Sequence, residues 1–180
     1  MRIAMLLIAL ISIFCFGQNL SPLPKQLQGI IPDFDVLTIE NEFGLNKDNL
    51  KENLKKTRAK RIALSFFATW CVNCKEEFKL LRENAGEIEK NGVQVYLINV
   101  GESIHKMGDK VSNMVKKYAG NSFQFYFDPA GNLLKKSGLV EKDGSFPLPL
   151  TFILDSNLHV LSVLQAIDEN DYPQILWNGL

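Results

Sequence analysis

The chain reads as an α/β domain, a central mixed β-sheet flanked by helices on both faces. Three patterns predict this. Two apolar runs at residues 61–68 and 93–100 are short enough to be strands, and amphipathic stripes follow each of them. Two further apolar runs near the carboxyl end are separated by a tight turn. Strands alternating with helices and then a closing hairpin give that layering. At 180 residues, one domain is expected.

The elements follow in order. Arg61 is succeeded by Ile62, Ala63, Leu64, Ser65, Phe66, Phe67 and Ala68, a run that reads as a strand buried on both faces. Phe78, Leu81, Ala85 and Ile88 recur at spacings of three and four, the stripe of one helix that Asn91-Gly92 stops. Residues 93–100 form the next strand, with Gln94 and Asn99 as polar exceptions. Val111, Met114, Val115 and Tyr118 mark a second helix ending near Gly120. Phe123, Phe125 and Phe127 alternate with Gln124 and Tyr126, and Asp128-Pro129-Ala130-Gly131 fits a type I turn. Residues 133–137 predict a short helix stopped by Gly138. Residues 151–154 and 160–164 flank Asp155-Ser156-Asn157 as an antiparallel hairpin would. No internal repeat is present.

Composition narrows the function. Lys and Arg total 20 against 20 Asp and Glu, so the net charge is zero and no phosphate-tracking surface is expected. Nucleic acid is therefore not a predicted partner. With 46% apolar and 22% charged residues the chain can bury an ordinary core. The amino terminus is less ordinary. Arg2 supplies a positive charge, residues 3–16 are almost unbroken apolar sequence, and Gly17-Gln18 ends the run. That pattern describes a secretory signal peptide over residues 1–17, with Cys15 and Gly17 in the small-residue positions before the cut. The run falls short of the roughly 20 apolar residues that cross a membrane, which disfavours an uncleaved anchor. Phe14 is bulkier than a lipidated Cys15 would want before it. The expectation is an exported, periplasmic protein with a linker at residues 18–30, carrying Pro22 and Pro24, and a domain at 31–180.

Cleavage would remove Cys15 and leave Cys71 and Cys74, separated by Val72 and Asn73. As a structural staple the pair is poor. A four-residue ring stabilises by roughly 1.9 kcal/mol in the loop-entropy model, against about 3 kcal/mol for a fifteen-residue one. As half of a zinc site it lacks neighbours, because His105 and His159 are too widely spaced to form a finger. No metal is therefore expected. A redox dithiol is favoured over both, and it needs no cofactor because the sulfurs carry the electrons. The cysteines sit where a strand feeds a helix amino terminus, whose free N–H groups and dipole favour an anion. A thiol of pKa near 8.5 is only about 3% thiolate at neutral pH, whereas one near 7 is half ionised. The difference is roughly 2 kcal/mol, within reach of a helix terminus with nearby donors. Cys71, outermost, is the predicted attacking thiolate and Cys74 the resolving one. Trp70 is either an apolar plane beside the sulfur or an ordinary core aromatic.

The sequence Trp70-Cys71-Val72-Asn73-Cys74, led in by Phe66-Phe67-Ala68-Thr69, resembles the active site of the thioredoxin superfamily. The Ala-Thr-Trp lead-in is closer to the exported TlpA/ResA-like thiol-disulfide oxidoreductases than to cytoplasmic thioredoxin. Ile31-Pro32-Asp33-Phe34 is similar to the approach to that family's extra amino-terminal β-hairpin, and residues 148–155 to its cis-proline loop and following strand. The likeness runs from about Ile31 to the end.

The resemblance implies a thioredoxin-like fold, a protein thiol or disulfide as substrate and a membrane thiol electron donor; a monomer is expected. It points to cytochrome c maturation or repair of mispaired disulfides. It also implies a cis Leu148–Pro149 bond beside Cys71, with the Leu148 backbone pairing an extended substrate. Glu77, three residues after Cys74, projects near the buried stripe, where a partly buried carboxyl would have a raised pKa and move protons for the thiols. The resemblance strengthens that role. Ser65 stands where cytoplasmic thioredoxin has a buried Asp, so that proton route is expected to be absent. Asn73 replaces the family's usual Pro, adding an N–H and a polar side chain beside the sulfurs. The rival readings are a disulfide oxidase or isomerase of the same fold and a non-catalytic binding module. Peroxidase chemistry is disfavoured, because the two cysteines lie too close together for a separate peroxidatic site.

Overall fold

Strands bury their apolar residues best where they have neighbours on both sides, and the longest apolar runs accordingly lie in the middle of the sheet. The computed structural model describes residues 23, 25–165 and 176. In chain order it has β1 (Asp35–Leu37), β2 (Phe43–Asn46), α1 (Lys47–Thr57), β3 (Arg61–Phe67), α2 (Val72–Glu83), α3 (Ala85–Lys90) and β4 (Val93–Val100). There follow α4 (Ile104–Tyr118), β5 (Gln124–Asp128), α5 (Asn132–Lys136), β6 (Leu150–Asp155) and β7 (Val160–Gln165). The seven strands form one sheet in the order β2-β1-β5-β4-β3-β6-β7. β3 runs parallel to β4 and β4 to β5, while β6 is antiparallel to β3 and β7 to β6. β1 and β2 make the expected antiparallel hairpin, joined to the sheet through Leu37 opposite Phe127 of β5.

The pleat of β3 and β4 sends alternate residues to two separate cores. Ile62, Leu64, Phe66, Tyr96 and Ile98 pack on one face. Ala63, Phe67, Val95 and Leu97 pack on the other, together with Phe78 and Leu81 of α2 and Val111 and Val115 of α4. Ser65 falls in register with Ala63 and Phe67, so it points toward α2. The Asp128-Pro129-Ala130-Gly131 turn closes with the Gly131 N–H donating to the Asp128 carbonyl at 2.9 Å. Among the described residues no helix is long and apolar enough to cross a membrane.

Three features depart from the sequence expectation. The single helix expected to run to Asn91 is two. Asn84 brings both its N–H (3.0 Å) and its side-chain amide (2.8 Å) to the Leu80 carbonyl, and at φ −103°, ψ 9° the chain leaves the helix before restarting at Ala85. Helix α1 was not foreseen. Only Leu50 and Leu54 of it are buried, too thin a stripe to stand out among lysines and glutamates, and its real signal is the cap. The Asn46 side chain accepts from the N–H groups of Asp48 and Asn49 while Asn49 accepts from the Asn46 N–H. Finally, part of the stretch assigned to the linker is packed onto the domain. Leu27 is fully buried, the Val160 N–H donates to the Gly29 carbonyl, and Ile30 bridges His159 just before β7. The predicted signal peptide and the first residues of the linker lie outside the described residues.

Candidate active site

Strand β3 ends at Phe67, and the chain turns through Ala68, Thr69 and Trp70 before α2 begins. The Cys71 N–H closes that turn on the Ala68 carbonyl at 3.1 Å. Cys71 is the N-cap of α2, with extended backbone (φ −76°, ψ 110°), and its Sγ accepts the Cys74 N–H at 3.2 Å. A sulfur there replaces the oxygen of an ordinary capping side chain. That position sets the sulfur against a backbone donor at the positive end of the helix. Cys71 and Cys74 are joined by a disulfide, S–S 2.02 Å and Cα–Cα 5.4 Å. Cys74 is fully buried and Cys71 is 4% exposed, so Cys71 is the outer of the two.

Trp70 is not a core aromatic. It is 62% exposed and its neighbour across the cysteine, Val72, is 66% exposed, leaving two apolar side chains beside Cys71 at the surface. The Leu148–Pro149 peptide is cis, Pro149 is buried, and Leu148 packs against the core cluster that contains both cysteines. The Leu148 N–H donates to the Phe146 carbonyl at 3.0 Å.

Glu77 lies one turn beyond Cys74 on the inward face of α2 and is only 1% exposed, deeper than the sequence suggested. Thr151 Oγ1 donates to its Oε1 at 2.7 Å and Ser65 Oγ to its Oε2 at 3.2 Å. Ser65 and Thr151 sit directly opposite each other on β3 and β6, so the sheet offers two adjacent hydroxyls to one carboxyl. Ser65 therefore does not leave the strand without a carboxyl group beside it. The carboxyl comes from the helix instead, and the serine is one of its supports. Thr151 carried a readable signal, a hydroxyl in an apolar run, but its relation to Glu77 needs the β3–β6 register.

A second buried carboxyl, Glu102, was missed altogether. It is 8% exposed, in the loop after β4, and accepts the Thr69 N–H (2.8 Å), the Thr69 hydroxyl (2.6 Å) and the Asn99 side-chain amide (2.6 Å). Asn99, the polar exception in an apolar strand, was its one sequence trace. A cleft of about 550 Å³ also opens in the molecule, but at the amino-terminal ends of β4 and β5, lined among others by Thr57, Ala85, Gly92, Tyr96 and Gln124. Both cysteines are absent from its lining. Among the described residues no three His, Cys, Asp or Glu side chains gather as a metal would need.

The model of the AhpC/TSA family matches residues 28–163. The thiol-disulfide oxidoreductase ResA of Bacillus subtilis is 30% identical over 144 residues, covering 71% of this chain and 74% of that protein. ResA of Bacillus thuringiensis is 26% identical over 135 residues, covering 75% of this chain and 67% of its own length. Among solved structures, a secreted Mycobacterium tuberculosis disulfide oxidoreductase homologous to Escherichia coli DsbE superposes with a TM-score of 0.57 at 17% identity. That match covers 84% of this chain and 96% of the other, and shows a shared thioredoxin-like fold.

Proposed function

Because this chain belongs to the AhpC/TSA family and is a thiol-disulfide oxidoreductase of the ResA type, we propose that it reduces disulfides of protein substrates outside the cytoplasm. The observation that carries this reading is the layout around the dithiol: an outer sulfur at a helix N-cap, an inner sulfur fully buried, and a buried carboxyl one turn further on. In the reduced enzyme the Cys71 thiolate attacks one sulfur of the substrate disulfide. A mixed disulfide forms and the other substrate sulfur leaves as a thiolate, which takes up a proton. Cys74 then loses its proton and attacks Cys71 Sγ, which forms the Cys71–Cys74 disulfide and releases the second substrate thiol. Two electrons have passed to the substrate. An external dithiol restores the enzyme by the same steps in reverse.

Glu77 is the group proposed to take the Cys74 proton, since it shares the buried face of α2 with that thiol. Trp70 and Val72 give the substrate an apolar landing beside Cys71, and the Leu148 carbonyl pairs with its backbone, with Pro149 holding that loop against the site. A reducing direction is supported by the modest stabilisation offered to the thiolate. One backbone N–H caps the Cys71 sulfur, and the nearest buried ionisable group on α2 is an acid, not a cation. Export rests on residues 1–17, and a membrane thiol donor follows from it, because a reductant outside the cytoplasm needs electrons delivered there. The domain acts as a monomer. Cytochrome c maturation and repair of mispaired disulfides are the pathways that fit such a reductant.

The test is the reduction potential of the Cys71–Cys74 pair, by equilibration in dithiothreitol redox buffers. A value near that of thioredoxin, about −270 mV, is expected. One near about −120 mV would make the protein an oxidant and overturn the direction proposed.

A further inference from the structure

The end of β4 and the loop that follows it, residues 99–102, touch both walls of the proposed substrate groove. On one side lies the turn that carries the nucleophile. The Glu102 carboxyl accepts from both the N–H and the hydroxyl of Thr69, and Asn99 donates to the same group. All three partners donate to the one carboxyl group, which fixes its place between the strand end and the turn. Thr69 is two residues before Cys71, whose N–H is bound to the Ala68 carbonyl, so the turn is gripped from outside and closed from within.

On the other side lies the cis-proline loop. Its residue Phe146 rests on two glycines. A Cβ at Gly131 would lie 2.1 Å from Phe146 Cζ, and one at Gly101 would lie 3.3 Å from Phe146 Cε2. Both glycines have positive φ, +64° and +73°. The Asp128 carbonyl accepts the N–H of each, at 2.9 and 3.2 Å, which sets the two bare backbones side by side as a slot for the ring. The Phe146 carbonyl in turn holds the Leu148 N–H. Gly101 and Glu102 are consecutive residues, so one short loop bears on Cys71 through Thr69 and on Leu148 through Phe146.

We infer that Glu102 and Phe146 are positioning residues that set the width of the groove between the Trp70–Cys71 turn and the Leu148–Pro149 loop, and thereby select extended protein disulfides over small ones. The inference rests on the reading of this groove as the substrate site. A strand bound there must reach Cys71 and the Leu148 carbonyl at once, whereas a small disulfide needs only Cys71. Misplacement of one wall relative to the other costs the first far more than the second.

The experiment compares the full-length reduced protein with its Glu102→Gln, Phe146→Ala and Phe146→Leu variants, and with the Glu102→Gln/Phe146→Ala double variant. The two substrates are a synthetic peptide carrying one disulfide in an extended segment and 2-hydroxyethyl disulfide. The quantity read is the ratio of kcat/KM for the peptide to that for the small disulfide. It is expected to fall about tenfold in Phe146→Ala, mainly through KM, and about threefold in Glu102→Gln. Phe146→Leu should recover most of the loss, and the double variant should lose less than the product of the single ones, because both act on one spacing. A ratio within about twofold of wild type in variants with native circular dichroism would overturn the inference. So would an equal fall for both disulfides, which would place the effect at the sulfurs and not in the groove. Glu102→Gln keeps the shape of the side chain and serves if Phe146→Ala fails to fold. A wild-type protein that leaves the peptide intact while reducing the small disulfide would bring down the substrate reading itself, and the inference with it.

Discussion

The two ends of the parallel strands differ in kind. The carboxyl-terminal ends of β3 and β4 gather the reactive and ionisable groups. A disulfide, three buried carboxyl groups (Glu77, Glu102 and Asp128), a cis-proline and a glycine-walled aromatic ring share that region, with Trp70 and Val72 standing out of it. At the amino-terminal ends there is a cleft of about 550 Å³ whose lining is largely small or neutral, including Ala59, Ala85, Gly86, Gly92 and Gln94. Tyr96 there is an inert acid, its pKa pushed up to about 12, chiefly by burial. Empty volume is thus a poor guide to chemistry in this fold. Ionisable groups stripped of water and provided with specific donors are a better one, because burying them is costly and needs local compensation.

The comparison breaks most readily at Cys71. Replacing Cys71 with Ser should lower disulfide reduction by at least about 10³-fold in a turbidity or peptide assay, since an alcohol cannot form the mixed disulfide. The same loss on emptying the other end would refute the contrast. Next is Glu77→Gln, which keeps the hydrogen-bonding shape but cannot take a proton. We expect resolution of the mixed disulfide to slow by about 10- to 100-fold and its pH dependence to flatten, measured by quenched-flow trapping across pH 5 to 9. An unaltered pH profile would remove Glu77 from proton transfer. Thr151→Val takes one donor from that carboxyl. The expected change is about fivefold in the same rate, because the carboxyl group loses one of the donors that hold it in place. At the cleft, Gln124→Ala should alter kcat/KM by less than about twofold. A larger change there would show that the hollow end takes part in the reaction.

Much of this was legible from residue pattern alone. The double burial of β3 and β4 shows as continuous apolar runs, and the closing hairpin shows as two runs about one turn. The cysteine pair announces itself by position, at a strand-to-helix junction. What escaped was whatever depends on partners distant in the chain. Glu102 is one acidic residue after a glycine until its contacts with Thr69, 33 residues earlier, are known. Phe146 reads as one more aromatic until Gly101 and Gly131 are seen to be its seat. Helix α1 escaped for the opposite reason. Its determinants are local, but they are a polar cap and two leucines, and a search for apolar stripes overlooks them.

The support of Glu77 also bears on the order in which reactivity arises. Ser65 precedes it by 12 residues, but Thr151 follows it by 74 and reaches it only after β6 has paired with β3. A chain still emerging or partly unfolded already owns both cysteines, yet has neither the helix cap nor the flanked acid. Its thiols then ionise like those of any peptide, near pKa 8.5. The carboxyl group held between two strands is thus a product of the closed sheet, and an unfolded chain carries its two cysteines without it.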